Sequence, residues 1–174
     1  MQVGPPAMDS NLPFPAPVGQ NPFHVKGFVV QGVREFIEKS VPGGMTTAMK
    51  RISDPAVVEY LSQPFLAASW YDAIAYINFI GAGGSASGRP RVRYYADHAV
   101  WQIERDLKGV NAMLYRAETP EALAGRMGTA WGRSFDFAQV ETLEVMPGSV
   151  IMSVRSMPAP FLSDRFAICT TSAA

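Results

Sequence analysis

The stretch YINFIGAGGSA, Tyr76 to Ala86, decides the fold. Its apolar start and its Gly81-x-Gly83-x-x-Ala86 spacing match a dinucleotide-binding loop, which would make the chain a doubly wound α/β protein. Such a loop needs a strand ending at the first glycine, a helix starting at the third small residue, and an acidic residue on the next strand. The surrounding residues do not supply these. Extended back to Phe65, the run reads FLAASWYDAIAYINFI, and Leu66, Trp70, Ala73, Ile77 and Ile80 recur at the steps of three and four that mark a helix face. Gly84, Gly88 and Pro90 fall where the phosphate-binding helix would begin. Glu104 and Asp106 lie inside a helical pattern, WQIERDL, and no Lys-Ser/Thr pair follows the glycines. The expectation is a buried helix from Phe65, then a flexible helix–helix connection, GAGGSASG, with no nucleotide and no other cofactor.

The pattern on either side is helical for most of the chain. Residues 1–21 read as a proline-rich tail, with Leu12 and Phe14 as anchors if it docks, and residues 22–174 as a single α+β domain. Asn21-Pro22 suits a helix start, with Val25, Phe28, Val29, Val33, Phe36 and Ile37 on one face and SVPGG as the stop. A short helix over Met45 to Ile52 and another capped by Asp54-Pro55 follow. A long helix spans Val92 to Leu107, with Val92, Tyr95, Ala96, Ala99, Val100, Ile103 and Leu107 expected inward. Gly109 interrupts, a turn or helix reaches Tyr115, and Thr119-Pro120-Glu121 opens a helix carrying Leu123, Met127 and Trp131. The period then changes to two. VETLEVMPGSVIMSVRS predicts a β-hairpin about Pro147-Gly148, with Leu143, Val145, Val150, Met152 and Val154 on its apolar face and Glu141, Ser153 and Arg155 outward. Helices followed by a hairpin indicate a helical bundle packed on a small antiparallel sheet, not a parallel sheet.

Composition narrows the function classes. Of 174 residues, 48% are hydrophobic and 17% charged, enough apolar material for a sizeable core. The formal net charge is zero, which argues against nucleic acid as a partner, since phosphate neutralisation drives such binding. The single cysteine, Cys169, forms no internal disulfide and suits a reducing cytoplasm. The N-terminus shows no signal peptide, and Asp72 and Asn78 break the one run apolar enough to suggest a membrane span.

Two segments carry a family resemblance: VKGFVVQGVREFI from Val25, and ETPEALAGRMGTAWGRSFDFAQVETLEVMPGSVIMSVRSMP from Glu118 to Pro158. The chain resembles a myxobacterial family known as a domain of unknown function. Its layout is similar to the group of TRAPP subunits, 4-vinyl-reductase-type domains and haem nitric-oxide-binding domains. The resemblance implies several helices packed on a small antiparallel sheet. It also implies either a role as an assembly subunit in bacterial signalling or a sensor holding a small apolar ligand in its helical interior. A haem-binding relative would need an axial histidine, and His98 is the residue to consider. The Tyr-x-Ser-x-Arg clamp for haem propionates is absent from this sequence, and the helix pattern sets His98 on the flank of the inward face.

Few residues suggest chemistry. Two histidines, one cysteine and scattered acids give no H-x-x-x-H, C-x-x-C or G-x-S-x-G pattern, so the chain reads as non-enzymatic, with no metal site. His24 has no sequence partner. Arg89, Arg91 and Arg93 gather at a helix N-terminus, where cations are unfavourable, and could contact an anion or an acidic partner. Tyr71, Phe79 and Trp101 fall off the expected inward faces, which suggests a protein–protein surface. The unpaired hairpin edges point the same way, to a homo-oligomer or a covering partner.

Overall fold

The structure is a computed structural model and describes residues 16–109, 112–115, 119–147 and 149–161. Leu12, Phe14 and Cys169 lie outside the described residues. The architecture is α+β, as the sequence predicts.

The chain enters through β1 (His24–Lys26) and turns directly into α1 (Gly27–Ser40). Asn21 is therefore not a helix cap, which corrects the expected start at Asn21-Pro22. Its buried side chain instead donates to Asp72 Oδ2 at 2.6 Å. Two short helices follow, α2 (Gly44–Met49) and α3 (Pro55–Ser62). The Asp54 side chain accepts the Ala56 N–H, and Pro55 occupies the first turn, where its missing N–H costs nothing.

The run from Phe65 is not one helix. It folds back as β2 (Trp70–Asp72), antiparallel to β1 with Val25 opposite Tyr71, and only then enters α4 (Ala73–Ala86). The break falls at Asp72, whose Oδ1 caps α4 by accepting the Ile74 and Ala75 N–H groups at 2.8 and 3.3 Å. Asp72 Oδ2 takes the Gly19 N–H at 2.8 Å as well as Asn21. One buried carboxylate thus ties residues 19 and 21 to the start of the central helix.

Every residue of α4 from Ala73 to Gly84 is buried. A helix apolar all round belongs at the centre of a bundle, and α1, α2 and α3 pack on it together with α5 (Arg91–Asp106). The expected glycine linker is corrected here: Gly81, Gly83 and Gly84 are helical, and the connection is only Ser87 to Pro90, with Gly88 at φ +69°. The glycines are present for packing. A β-carbon on Gly83 would collide with the Tyr94 hydroxyl and stand 2.8 Å from Ile37 Cγ1. Tyr94 and Tyr95, fully buried, bring α5 against α4 and α1.

The C-terminal part holds α6 (Ala112–Tyr115), α7 (Pro120–Ser134), and a hairpin of β3 (Gln139–Met146) and β4 (Ser149–Arg155), followed by a 3-10 turn (Ala159–Phe161). Thr119 caps α7 through its side-chain oxygen. This part is fastened to the bundle through β1. Val25 bridges to Phe135, His24 Nδ1 lies 2.5 Å from Asp136 Oδ2, and Phe161 stacks on Phe137 with Phe23 edge-on to both.

Candidate functional site

The hairpin leaves the body as an arm. Strands β3 and β4 pack on α7, where the Val140 carbonyl lies 3.5 Å from the place a Gly128 β-carbon would take and Val140 and its partner Val154 are partly buried. Beyond that, Leu143, Val145, Met146, Ile151 and Met152 are all exposed. The register shifts between Thr142 and Glu144, which leaves Leu143 as an unpaired bulge. The bulge takes only Leu143 off the expected face: Val145, Val150, Met152 and Val154 share one side, as expected, with Val140 and Thr142, while Met146 and Ile151 join Glu141, Glu144, Ser153 and Arg155 on the other. Each side of the distal arm therefore shows apolar area to water. Among the described residues this sheet has two strands, so both outer edges keep open N–H and C=O groups.

Helix α5 presents the second surface, by reversing the expected orientation. The residues expected inward include Val92 (58% exposed), Val100 (55%), Ile103 (40%) and Leu107 (38%), with Ala96 and Ala99 half-buried between them. Of that set only Tyr95 is buried. The covered arc instead runs through Tyr94, Tyr95, His98, Trp101 and Asp106. Gly32 of α1 makes room for this arc, since a β-carbon there would collide with the Gln102 amide. Arg105 closes the contact with paired bonds to Glu35 at 3.0 and 2.9 Å, and this hydrogen bond holds the Glu35 carboxyl below its ordinary range.

His98 is thus buried, not flanking, and lies edge-on to Phe36 at 5.3 Å. Burial pushes its imidazole down to about 4. Its Nε2, Trp101 Nε1 and Gln102 Oε1 have no hydrogen-bond partner among the described residues. Burial also raises the Asp106 carboxyl, against the opposing bond from Gln102.

The three aromatics proposed for an interface divide. Phe79 is fully buried in α4 and is a core residue, which corrects that expectation. Tyr71 is half-buried, edge-on to Phe65, with its hydroxyl accepting the Leu66 N–H. Trp101 packs between Phe36 and the Lys39 ammonium, which sits 4.2 Å from its ring centroid. Both side chains are partly covered by these contacts. Of the arginine trio, Arg89 and Arg93 both reach Asp97, at 3.2 and 3.0 Å, so much of their charge is answered within the chain. Arg91 turns partly inward.

A shallow open groove of about 380 Å³ lies over Arg34, Glu38, Met45, Met49 and Leu61. Arg34 there donates to the Leu61 and Gln63 carbonyls, which ties it to the fold. Among the described residues no three His, Cys, Asp or Glu side chains gather to hold a metal, and no helix is long and apolar enough to cross a membrane. No known protein family, no curated protein and no solved structure matches this chain.

Proposed function

We propose that this chain works by binding protein, without catalysis, as an assembly or signalling module whose first partner is another copy of itself. The observation that carries the reading is the β3–β4 arm, apolar on both sides of its distal half and, among the described residues, open along its edges. Of the two edges, β4 is the better suited. β3 carries the Leu143 bulge together with Glu141 and Glu144, features that blunt a strand edge. β4 has no proline, no bulge, and no charge before Arg155. Two β4 strands about a two-fold axis would set Met152 opposite its own copy and Val150 opposite Val154 of the second copy. Two β3 strands would bring Glu141 against Glu144. A four-stranded sheet centred on β4 satisfies the open backbone groups and joins the two apolar faces.

The alternative, a sensor for a small apolar ligand among the helices, has less behind it. Phe36, Ile37, Ile80 and Tyr94 fill the space between α1, α4 and α5. Light scattering and sedimentation of the full chain across the micromolar range test the main reading. The expected result is a species of at least dimer mass, shifted lower by Met152→Lys with the circular-dichroism spectrum intact. A clean monomer over that range overturns it.

A further inference from the structure

Helix α5 has two apolar arcs, and the bundle covers one. The outer arc, Val92, Ala96, Ala99, Val100, Ile103 and Leu107, follows the helix for its full length, about 24 Å at 1.5 Å per residue. We infer that this arc is a second two-fold contact, in which two copies of the chain pack their α5 helices antiparallel. The inference rests on the self-association reading above and uses a different surface.

Charge selects the occupant. Arg93 and Glu104 sit on the same flank of the outer arc, because eleven helical residues return to within about 20° of the starting direction. They are about 16 Å apart along the axis, too far to meet within one helix. In an antiparallel pair, Arg93 of each copy faces Glu104 of the other, and symmetry makes the contact twice. Glu104 has no ion pair among the described residues, so this contact would satisfy an open carboxylate. The helix ends agree with the same arrangement. Arg89, Arg91 and Arg93 lie at the positive end of their own helix dipole, where Arg89 and Arg93 share the single carboxylate of Asp97, and an antiparallel neighbour brings its negative C-terminal end beside them. At the centre, Ala96 and Ala99 are small enough for close approach of the helices, and Val92, Val100, Ile103 and Leu107 close over them from both copies.

Charge reversal tests the geometry, in the Met152→Lys background to remove contact through the arm. Arg93→Glu and Glu104→Arg should each weaken the dimer about tenfold, and the double reversal should restore it. Since the two residues cannot touch within one chain, rescue reports a contact between copies. In a Cys169→Ser background, Ala99→Cys lies near the axis and should oxidise to a covalent dimer, while Met113→Cys, 76% exposed and off the arc, should not. Single reversals without effect, or a double reversal without rescue, overturn the inference. So does an intrachain 99–169 disulfide when Cys169 is retained, which would show the chain's own C-terminal segment covering the arc. If Met152→Lys alone is monomeric while the unaltered chain is dimeric, this contact is refuted and the arm reading stands. A monomer in every variant refutes both.

Discussion

Tyr94 lies across Gly83 so closely that the glycine has no room for a β-carbon. Gly84 is less confined, with Tyr94 Cδ1 3.2 Å from where a β-carbon would stand. Alanine in a helix ordinarily gains about 1 kcal/mol over glycine. At Gly83 the collision reverses the sign, and Gly83→Ala should lose about 1–3 kcal/mol by urea denaturation, the cost of overpacking a filled core. Gly125 in α7 has nothing within 4 Å of its missing β-carbon. Gly125→Ala should therefore gain roughly 0.5–1 kcal/mol. Equal shifts at the two positions would show that Tyr94 does not set the difference.

Asp72 joins four donors: the Ile74 and Ala75 amides, the Gly19 amide and the Asn21 side chain. Asp72→Ala removes a helix cap and strands buried donors, for a loss of about 3 kcal/mol. Asn21→Ala should lose about 1 kcal/mol, and the double variant should lose less than the sum, because the two residues share a bond. Strict additivity in that cycle would contradict the shared contact.

His98 makes stability depend on pH. Its folded-state value of about 4 lies below the ordinary 6.5, so the unfolded chain takes the proton first. The contribution is intact above pH 6.5, falls as pH drops toward 4, and amounts to about 3 kcal/mol when fully lost. Glu35, held low by Arg105, adds to the loss as it protonates, and Asp106, raised by burial, opposes it. His98→Phe should flatten the slope between pH 6.5 and 4. An unchanged slope in that variant would assign the acid sensitivity elsewhere.

Phe161 is 1% exposed and stacks on Phe137 with ring centroids 4.5 Å apart. Phe161→Ala should cost about 3–5 kcal/mol, the range for a buried aromatic truncated to alanine. A loss under about 1 kcal/mol, measured by thermal unfolding, would show that the turn is dispensable to the core.

Local signals were the legible ones. Asp54-Pro55 and Thr119-Pro120 begin helices because their caps need only neighbouring residues. The hairpin and most of its face were readable from its period of two, which sets Val145, Val150, Met152 and Val154 on one side and Glu141, Ser153 and Arg155 on the other, but the bulge that takes Leu143 out of the pairing was not. Strands β1 and β2 are three residues each, too short for any period to register. The arginine trio could be seen in the sequence, but the engagement of Arg89 and Arg93 by Asp97 depended on helical geometry. In α5 the sequence offers two apolar arcs, and periodicity supports either. The aromatic arc packs inward because Tyr94, Tyr95 and Trp101 bury more area per residue than alanine and valine. The outer arc was thus assigned to the core by the same pattern that now marks it as a surface.

The fastening through β1 has a consequence for synthesis. His24 and Asp136 are 112 residues apart, yet their contact sits where the bundle meets the arm. Closing so long a loop adds little in free energy, since each doubling of length costs only about 0.6 kcal/mol. Its weight falls on timing instead. A chain emerging from the ribosome can assemble α1 to α5, but β1 keeps one side unbridged until Phe135 arrives. The nascent bundle then carries an open strand edge through the whole translation of α6 and α7, the interval in which it is most exposed to pairing with another nascent chain.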